Sequence, residues 1–190
     1  MTFPPSALYP NSGIAYNQLN TCLYSLTGAI SLGAVAIGQI LPLDAGTGTA
    51  PTGLFVNFGR DVGLKPNRTA PTVGTEPRLG ALVNTNSLPV QFSGIIGVFV
   101  NGGPFDIGAF TVEVQAAGED ITTSEVIGKY ETIASEFEVF IPFSYVLQPN
   151  DSIFVINGGV QQTNTCGTFL YYVRATEVYG SNGIIETGYV

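Results

Sequence analysis

The sequence predicts an all-β protein, an antiparallel sandwich or barrel of about eight short strands. Three observations predict it. The clearest stretches alternate apolar and polar residues with period two. Clusters of turn-forming residues separate these stretches at intervals of roughly ten to fifteen residues. Almost no segment carries a helical period, and no internal repeat marks a propeller or solenoid. At 190 residues the chain is long enough for one domain with its own core and a short appendage.

The elements follow in order. Residues 1–13 are rich in Pro and Ser and read as an extended arm. Tyr16, Leu19, Leu23 and Leu26 recur at helical spacing, with Asn11 or Ser12 as caps, so a short helix is expected over Tyr16–Leu26. Residues 1–30 are therefore assigned to the arm and helix, and 31–190 to the β domain. Strands are expected at Ala34–Leu41, Leu54–Phe58, Leu79–Asn84 and Ile95–Val100. Phe110–Ala116 is the clearest, with Phe110, Val112, Val114 and Ala116 on one face and Thr111, Glu113 and Gln115 on the other. Val126–Ile133 is a further candidate. Glu136–Ile141 repeats the alternation, with Phe137, Val139 and Ile141 expected inward. Ile153–Asn157 and Phe169–Val178 complete the set. Between them lie Asn101-Gly102-Gly103-Pro104, Ala117-Gly118-Glu119-Asp120, Gln148-Pro149-Asn150-Asp151 and Asn157-Gly158-Gly159, all turn chemistry.

Two runs are apolar on both faces: Ile95 to Val100, and Phe169 to Val173. A free-standing antiparallel sheet shows water one polar face, so such runs are expected to be covered on both sides. Charge is scarce as well. Only 11% of residues are charged, about half the usual share. The first charged residue is Asp44. Low charge and two-sided strands together point to subunit contacts.

The composition excludes several function classes. With 6 Lys+Arg against 14 Asp+Glu and a net charge of −8, the chain lacks the basic footprint of a nucleic-acid binder. It has no His, which removes Ser-His-Asp and Cys-His catalysis, His-ligated metals and cupin-type sites. No catalytic residue, cofactor or metal is expected, and the protein is read as a non-enzyme. The start Met1–Pro5 lacks the basic region of a secretory signal. Leu23–Leu41 holds Ser25, Thr27, Ser31 and Gln39, has no flanking cations and runs into Pro42. It is read as a buried or subunit-facing segment, and no membrane contact is expected.

The remaining candidates are modest. Glu119–Asp120, Asp106 and Asp151 sit in turns, where Asp forms turns by default and calcium is the sharper alternative. Glu136 and Glu138 share a strand face and are read as its polar side rather than a glycosidase pair. Asn67-Arg68-Thr69 and Asn150-Asp151-Ser152 match the N-glycosylation pattern. Cys22 and Cys166 either pair or remain two buried thiols; spacing leaves both open. Gly59–Arg78 is expected to be a long loop. It carries Arg60, Lys65, Arg68 and Arg78, four of the six cations. It is either a solvated loop or a contact loop that sets register against acidic surface on a neighbouring copy. Tyr171 and Tyr172 are further interface candidates.

Phe137 to Asn157 resembles the strand, leucine, short Asp-containing turn, strand passage of TNF/C1q-like jelly rolls. Thr168 to Val173 is similar to their closing strand. The resemblance covers about residues 90–178 and implies a single antiparallel jelly roll of about eight strands, with the extended arm and short helix before it. Two groups use such a roll. Viral single-jelly-roll virion proteins (penton, minor capsid and decoration subunits) imply self-association as a pentamer or trimer, contacts with other capsid proteins, and location in the virion. Trimeric TNF/C1q-like recognition heads imply binding of a glycan or protein receptor by end loops such as 101–107 and 157–167. The uncharged, Pro-rich start and two-sided strands favour the virion reading. On it, the arm 1–25 reaches onto neighbours and the loop 59–78 supplies charged registry.

Overall fold

The computed structural model describes residues 22–24, 30–31, 35–41, 43, 64–67 and 69–178. Among the described residues eleven strands are formed: β1 (Cys22–Tyr24), β2 (Ile30–Ser31), β3 (Ile40–Leu41), β4 (Leu64–Pro66), β5 (Leu82–Asn84), β6 (Val90–Asn101), β7 (Gly108–Gln115), β8 (Glu125–Thr132), β9 (Glu138–Leu147), β10 (Ser152–Asn157) and β11 (Thr165–Glu177). A 3₁₀ turn, Ile121–Thr123, precedes β8.

The strands form two antiparallel sheets. One has the order β1-β11-β6-β9, with β2 also on β11. The other has the order β4-β5-β10-β7-β8, with β3 also on β10. The pairing is nested. The first strands meet the last, β1 and β2 on β11. Inside that pair, β5 meets β10, β6 meets β9, and β7 meets β8. A long antiparallel ribbon wound into two facing sheets has this pairing, and it is the jelly roll. The fold expectation is therefore met by topology.

Between the sheets lies one core. β6 contributes Phe92, Ile96 and Val98; β7 contributes Phe110, Val112 and Val114; β9 contributes Val139, Ile141, Phe143 and Leu147; β10 contributes Ile153 and Val155. Phe92 meets Phe143 at 4.9 Å between ring centroids, and Phe105 meets Phe110 edge-on at 5.5 Å. β9 alternates throughout, with Glu138, Phe140, Pro142, Ser144 and Val146 turned away from the core.

Buried polar side chains close both ends. At one end, Asn84 donates to the carbonyls of Leu88 (3.1 Å) and Leu147 (3.0 Å). Beside it, Asp151 accepts from the backbone N–H groups of Ala117 (3.0 Å) and Gln148 (2.8 Å). At the other end, Asn157 and Gln162, both fully buried, join the loops. Satisfying each buried donor in this way avoids the cost of an orphaned polar group.

Several local expectations are corrected. Within the expected helix Tyr16–Leu26, Cys22–Tyr24 form strand β1, because β11 supplies a ladder that a weak apolar spacing could not outbid; the rest of that segment lies outside the described residues. Ala34–Leu41 is interrupted by a turn at Ile37–Gly38, with Gly38 at φ 76°, so only Ile40–Leu41 is strand. The expected loop Gly59–Arg78 contains β4. Leu54–Phe58 lies outside the described residues. Phe137 is 57% exposed rather than inward, because β9 starts one residue later and the pleat does not reach it. Ala116 is likewise exposed, just past the end of β7.

Candidate functional site: two outer faces and a loop end

The two sheets turn different surfaces outward. On the β7–β8 side the outer face is mostly polar and charged, with exposed Val126 opposite Glu113. Thr111 donates to Glu113 (2.6 Å), Ser124 donates to the same carboxylate, and Lys129 and Glu131 form a 2.8 Å ion pair. On the β6–β9 side the outer face is mostly apolar. Phe140 and Val146 are exposed and stand beyond Glu138, while Ile95 and Phe99 on β6 are half-buried. The register sets Gly97 between Phe140 and Phe169, and Ile95 between Pro142 and Tyr171. Among the described side chains, Ser93 and a 2.9 Å hydrogen bond from Gln91 to Ser144 are polar on this face, with Glu138 at the rim. The two-sided run at Ile95–Val100 thus divides as its alternation requires: Ile96, Val98 and Val100 enter the core, and Ile95 and Phe99 face out.

The named interface candidates are scattered over this frame. Arg60 and Arg68 lie outside the described residues. Lys65 sits exposed on β4. Arg78 is half-buried, and its Nη2 donates to the carbonyl of Gly74 at 3.4 Å. The same carbonyl accepts from Gln115 at 3.2 Å. Asp120 packs against Gly74 so closely that a Cβ there would come 2.1 Å from its carboxylate. The Asp120 carboxyl is held below its usual value, first by hydrogen bonds from Thr122 and further by the Arg78 charge. Arg78 is therefore tied within its own loop, and Gln115 and Asp120 hold that loop against the β7–β8 turn. Tyr171 pairs with Ile95 at the point where β11 breaks register, between Tyr171 and Arg174. That break lets Tyr172 and Val173 stand opposite no β6 residue.

Of the carboxylates flagged in the sequence, Asp106, Asp120, Glu136 and Asp151 have internal partners. Asp106 accepts from the backbone and hydroxyl of Thr163 (2.8 and 2.9 Å). Glu136 accepts from Tyr130 (2.7 Å) and the Ile133 N–H (2.9 Å), which holds the Tyr130 hydroxyl above its usual pKa. Glu125 does the same to Tyr145. Among the described residues no group of three or more Cys, Asp or Glu is placed to hold a metal ion. The Asn67 amide nitrogen donates to the carbonyls of Thr69, Pro77 and Arg78, so this sequon's acceptor atom is occupied within the fold. Among the described residues no helix is long and apolar enough to cross a membrane.

The cysteine alternative is decided by register. Cys22 stands opposite Ala175 on β11, while Cys166 is near the start of the same strand. At about 3.3 Å per residue the two lie roughly 30 Å apart. A disulfide needs Cα atoms within about 7 Å. Cys166 is a free, buried thiol, and burial pushes its pKa up to about 11.

With this geometry in place, the comparisons add the following. No family model and no curated protein sequence matches the chain. Among solved structures it is similar to the Eiger TNF of S. frugiperda, with 9% identity, a TM-score of 0.40, and coverage of 85% of this chain and 94% of that one. It is also similar to the CBM22-1–GH10 modules of the Clostridium thermocellum endo-1,4-beta-D-xylanase 10B, complexed with xylohexaose. There the identity is 16%, the TM-score 0.30, and the coverage 55% of this chain and 24% of that one. The jelly-roll assignment rests on the strand pairing described above.

Proposed function

We propose that the protein is a non-enzymatic structural subunit that works by self-association through the outer face of the β1-β11-β6-β9 sheet, as a capsid vertex (penton), minor capsid or decoration protein of a virion. The observation that carries the self-association is the contrast between the faces. Phe140 and Val146 stand 44% and 36% exposed on one sheet beside half-buried Ile95 and Phe99, while on the other Glu113, Lys129 and Glu131 surround the exposed Val126 with charge. Leaving aromatic surface in water forgoes roughly 25 cal/mol per Å² that a covered face recovers. Closed rings satisfy such a face on every copy. The low charge, the absence of His and the expected arm 1–25 support a role in a shell, with pentamers or trimers and other capsid proteins as partners.

Light scattering on the purified chain tests the assembly. The expected result is a discrete oligomer that F140S/V146S converts to monomer. A wild-type monomer at every concentration overturns it. Electron microscopy of the oligomer then reads its symmetry.

A second reading is favoured by the hydrogen-bonded loop end. On it, the chain is a trimeric recognition head that binds a glycan or protein receptor with the loops around 101–107 and 157–167. A glycan array separates the two, since the shell role expects silence.

A further inference from the structure

We propose that Ile37, Ile107 and Val160 form a preorganised docking tip for a protein partner that presents an apolar socket bordered by Lys or Arg. This deepens the recognition reading and rests on it, while self-association through the sheet face is independent of it.

The three residues belong to three separate loops that gather at one end of the roll. They are 66%, 65% and 53% exposed, so more than half of each aliphatic side chain meets water. All three sit at turn positions, where Gly, Asn, Asp, Ser and Pro are the usual occupants. β-Branched side chains there gain nothing locally.

Two buried side chains hold the loops together. The Asn157 side-chain amide donates to the carbonyls of Ala36 (3.3 Å) and Val160 (3.0 Å), and its backbone carbonyl accepts from the Gly38 N–H (2.7 Å). Ile37 is thereby pinned on both sides. Gln162 accepts from the Asp106 N–H (2.9 Å) and donates to the carbonyls of Asp106 (3.1 Å) and Val160 (3.3 Å). That fixes the residue before Ile107 to the loop that carries Val160. The backbones also touch: a Cβ on Gly108 would lie 2.8 Å from the Val160 nitrogen. Loops already locked lose little entropy on binding, and Ile and Val have few χ1 states to lose.

The partner's chemistry follows from the rim. Asp106 is the one ionisable residue in these three loops, and Glu136 and Glu138 lie on the adjoining loop and strand start, while Glu131 nearby is paired with Lys129. A second copy would bring the same carboxylates face to face, and its apolar needs are met at the sheet. A bilayer surface is entered with aromatic residues and cations, which the three loops lack apart from buried Phe105. An apolar socket with a basic border matches both the centre and the rim.

A random-sequence peptide library displayed on phage is the probe. Selection on the wild-type protein is expected to enrich peptides with an apolar centre flanked by Lys or Arg. The variant I37S/I107S/V160S is expected to bind those peptides about a hundredfold more weakly, as loss of clustered anchors does. F140S/V146S is expected to bind them unchanged, which separates this surface from the assembly face. Circular dichroism and the melting temperature of the triple variant confirm that it folds. Three results overturn the proposal: no enrichment, binding indifferent to the triple substitution, or selected peptides without the basic flanks. Triple-variant-sensitive binding to neutral phosphatidylcholine vesicles, or a change in oligomer mass in that variant, also overturns it, in favour of a lipid or a second copy.

Discussion

The side-chain amide of Asn157 donates to the carbonyl of Val35 at 3.0 Å, across 122 residues of sequence. Val35 also exchanges backbone hydrogen bonds with Gln162. One buried amide thus anchors the 35–39 segment, the end of β10 and the 158–162 turn.

Asn157→Ala is expected to lower unfolding free energy by roughly 1–3 kcal/mol, because buried carbonyls lose their donor. Denaturant unfolding reads the loss. Hydrogen exchange should accelerate first at residues 35–39. A uniform change across the domain would show that Asn157 serves the global core instead.

Gly159→Ala is expected to disturb the same end by a different route. Its Cβ would fall 2.2 Å from the Ala109 nitrogen, a contact with backbone that no rotamer relieves. Melting temperature and the amide shifts of residues 108–110 check this. Gly118→Ala, with open space but φ 80°, carries only backbone strain and is expected to cost less.

Phe92→Ala removes a fully buried ring packed on Phe143. Truncations of this kind cost about 3–5 kcal/mol, a large part of a small domain's total stability. Thermal unfolding is the measurement. Phe140→Ser, on the outer face and 44% exposed, is expected to cost the monomer clearly less than Phe92→Ala.

Cys166 is expected to resist alkylation at pH 8 in the native protein. Its pKa of about 11 leaves almost no thiolate, and no atom of it reaches solvent. Unfolding should expose it to rapid reaction. Reducing agent should leave the melting temperature unchanged, since Cys22 is too distant to pair with it.

Acid should loosen the 69–80 loop before the core. Hydrogen bonds from Thr72 lower the Glu76 carboxyl, and those from Thr122, with the Arg78 charge, lower that of Asp120. A carboxyl depressed in the fold contributes stability above its unfolded value, and that contribution is lost as pH falls through the folded value. The window therefore opens below about pH 4. Amide exchange at residues 72–78 should rise there, and D120N should remove part of the dependence.

The strands at Phe110–Gln115 and Glu138–Ile141 were legible in the sequence because period-two alternation is a local property of the pleat, and Ile153–Asn157 because turn residues bound a short apolar run; the extension of β9 to Leu147 was not read. The absence of His chemistry and of a basic footprint was equally legible, since composition alone decides both. What the alternation could not convey is which strands meet. The nesting of β1 on β11 and β5 on β10 depends on contacts across most of the chain, whose free energy no local window contains. For that reason the weak helical spacing around Cys22 misled, and Phe137 faced outward. The same limit applied to the sites. Asn157 and Gln162 read as turn and loop residues, yet tertiary structure buried both and made them the ties of the loop end. Low charge in the sequence pointed to a covered surface; only the packing of the two sheets decided that the face bearing Phe140 is apolar and the face bearing Glu113 is not.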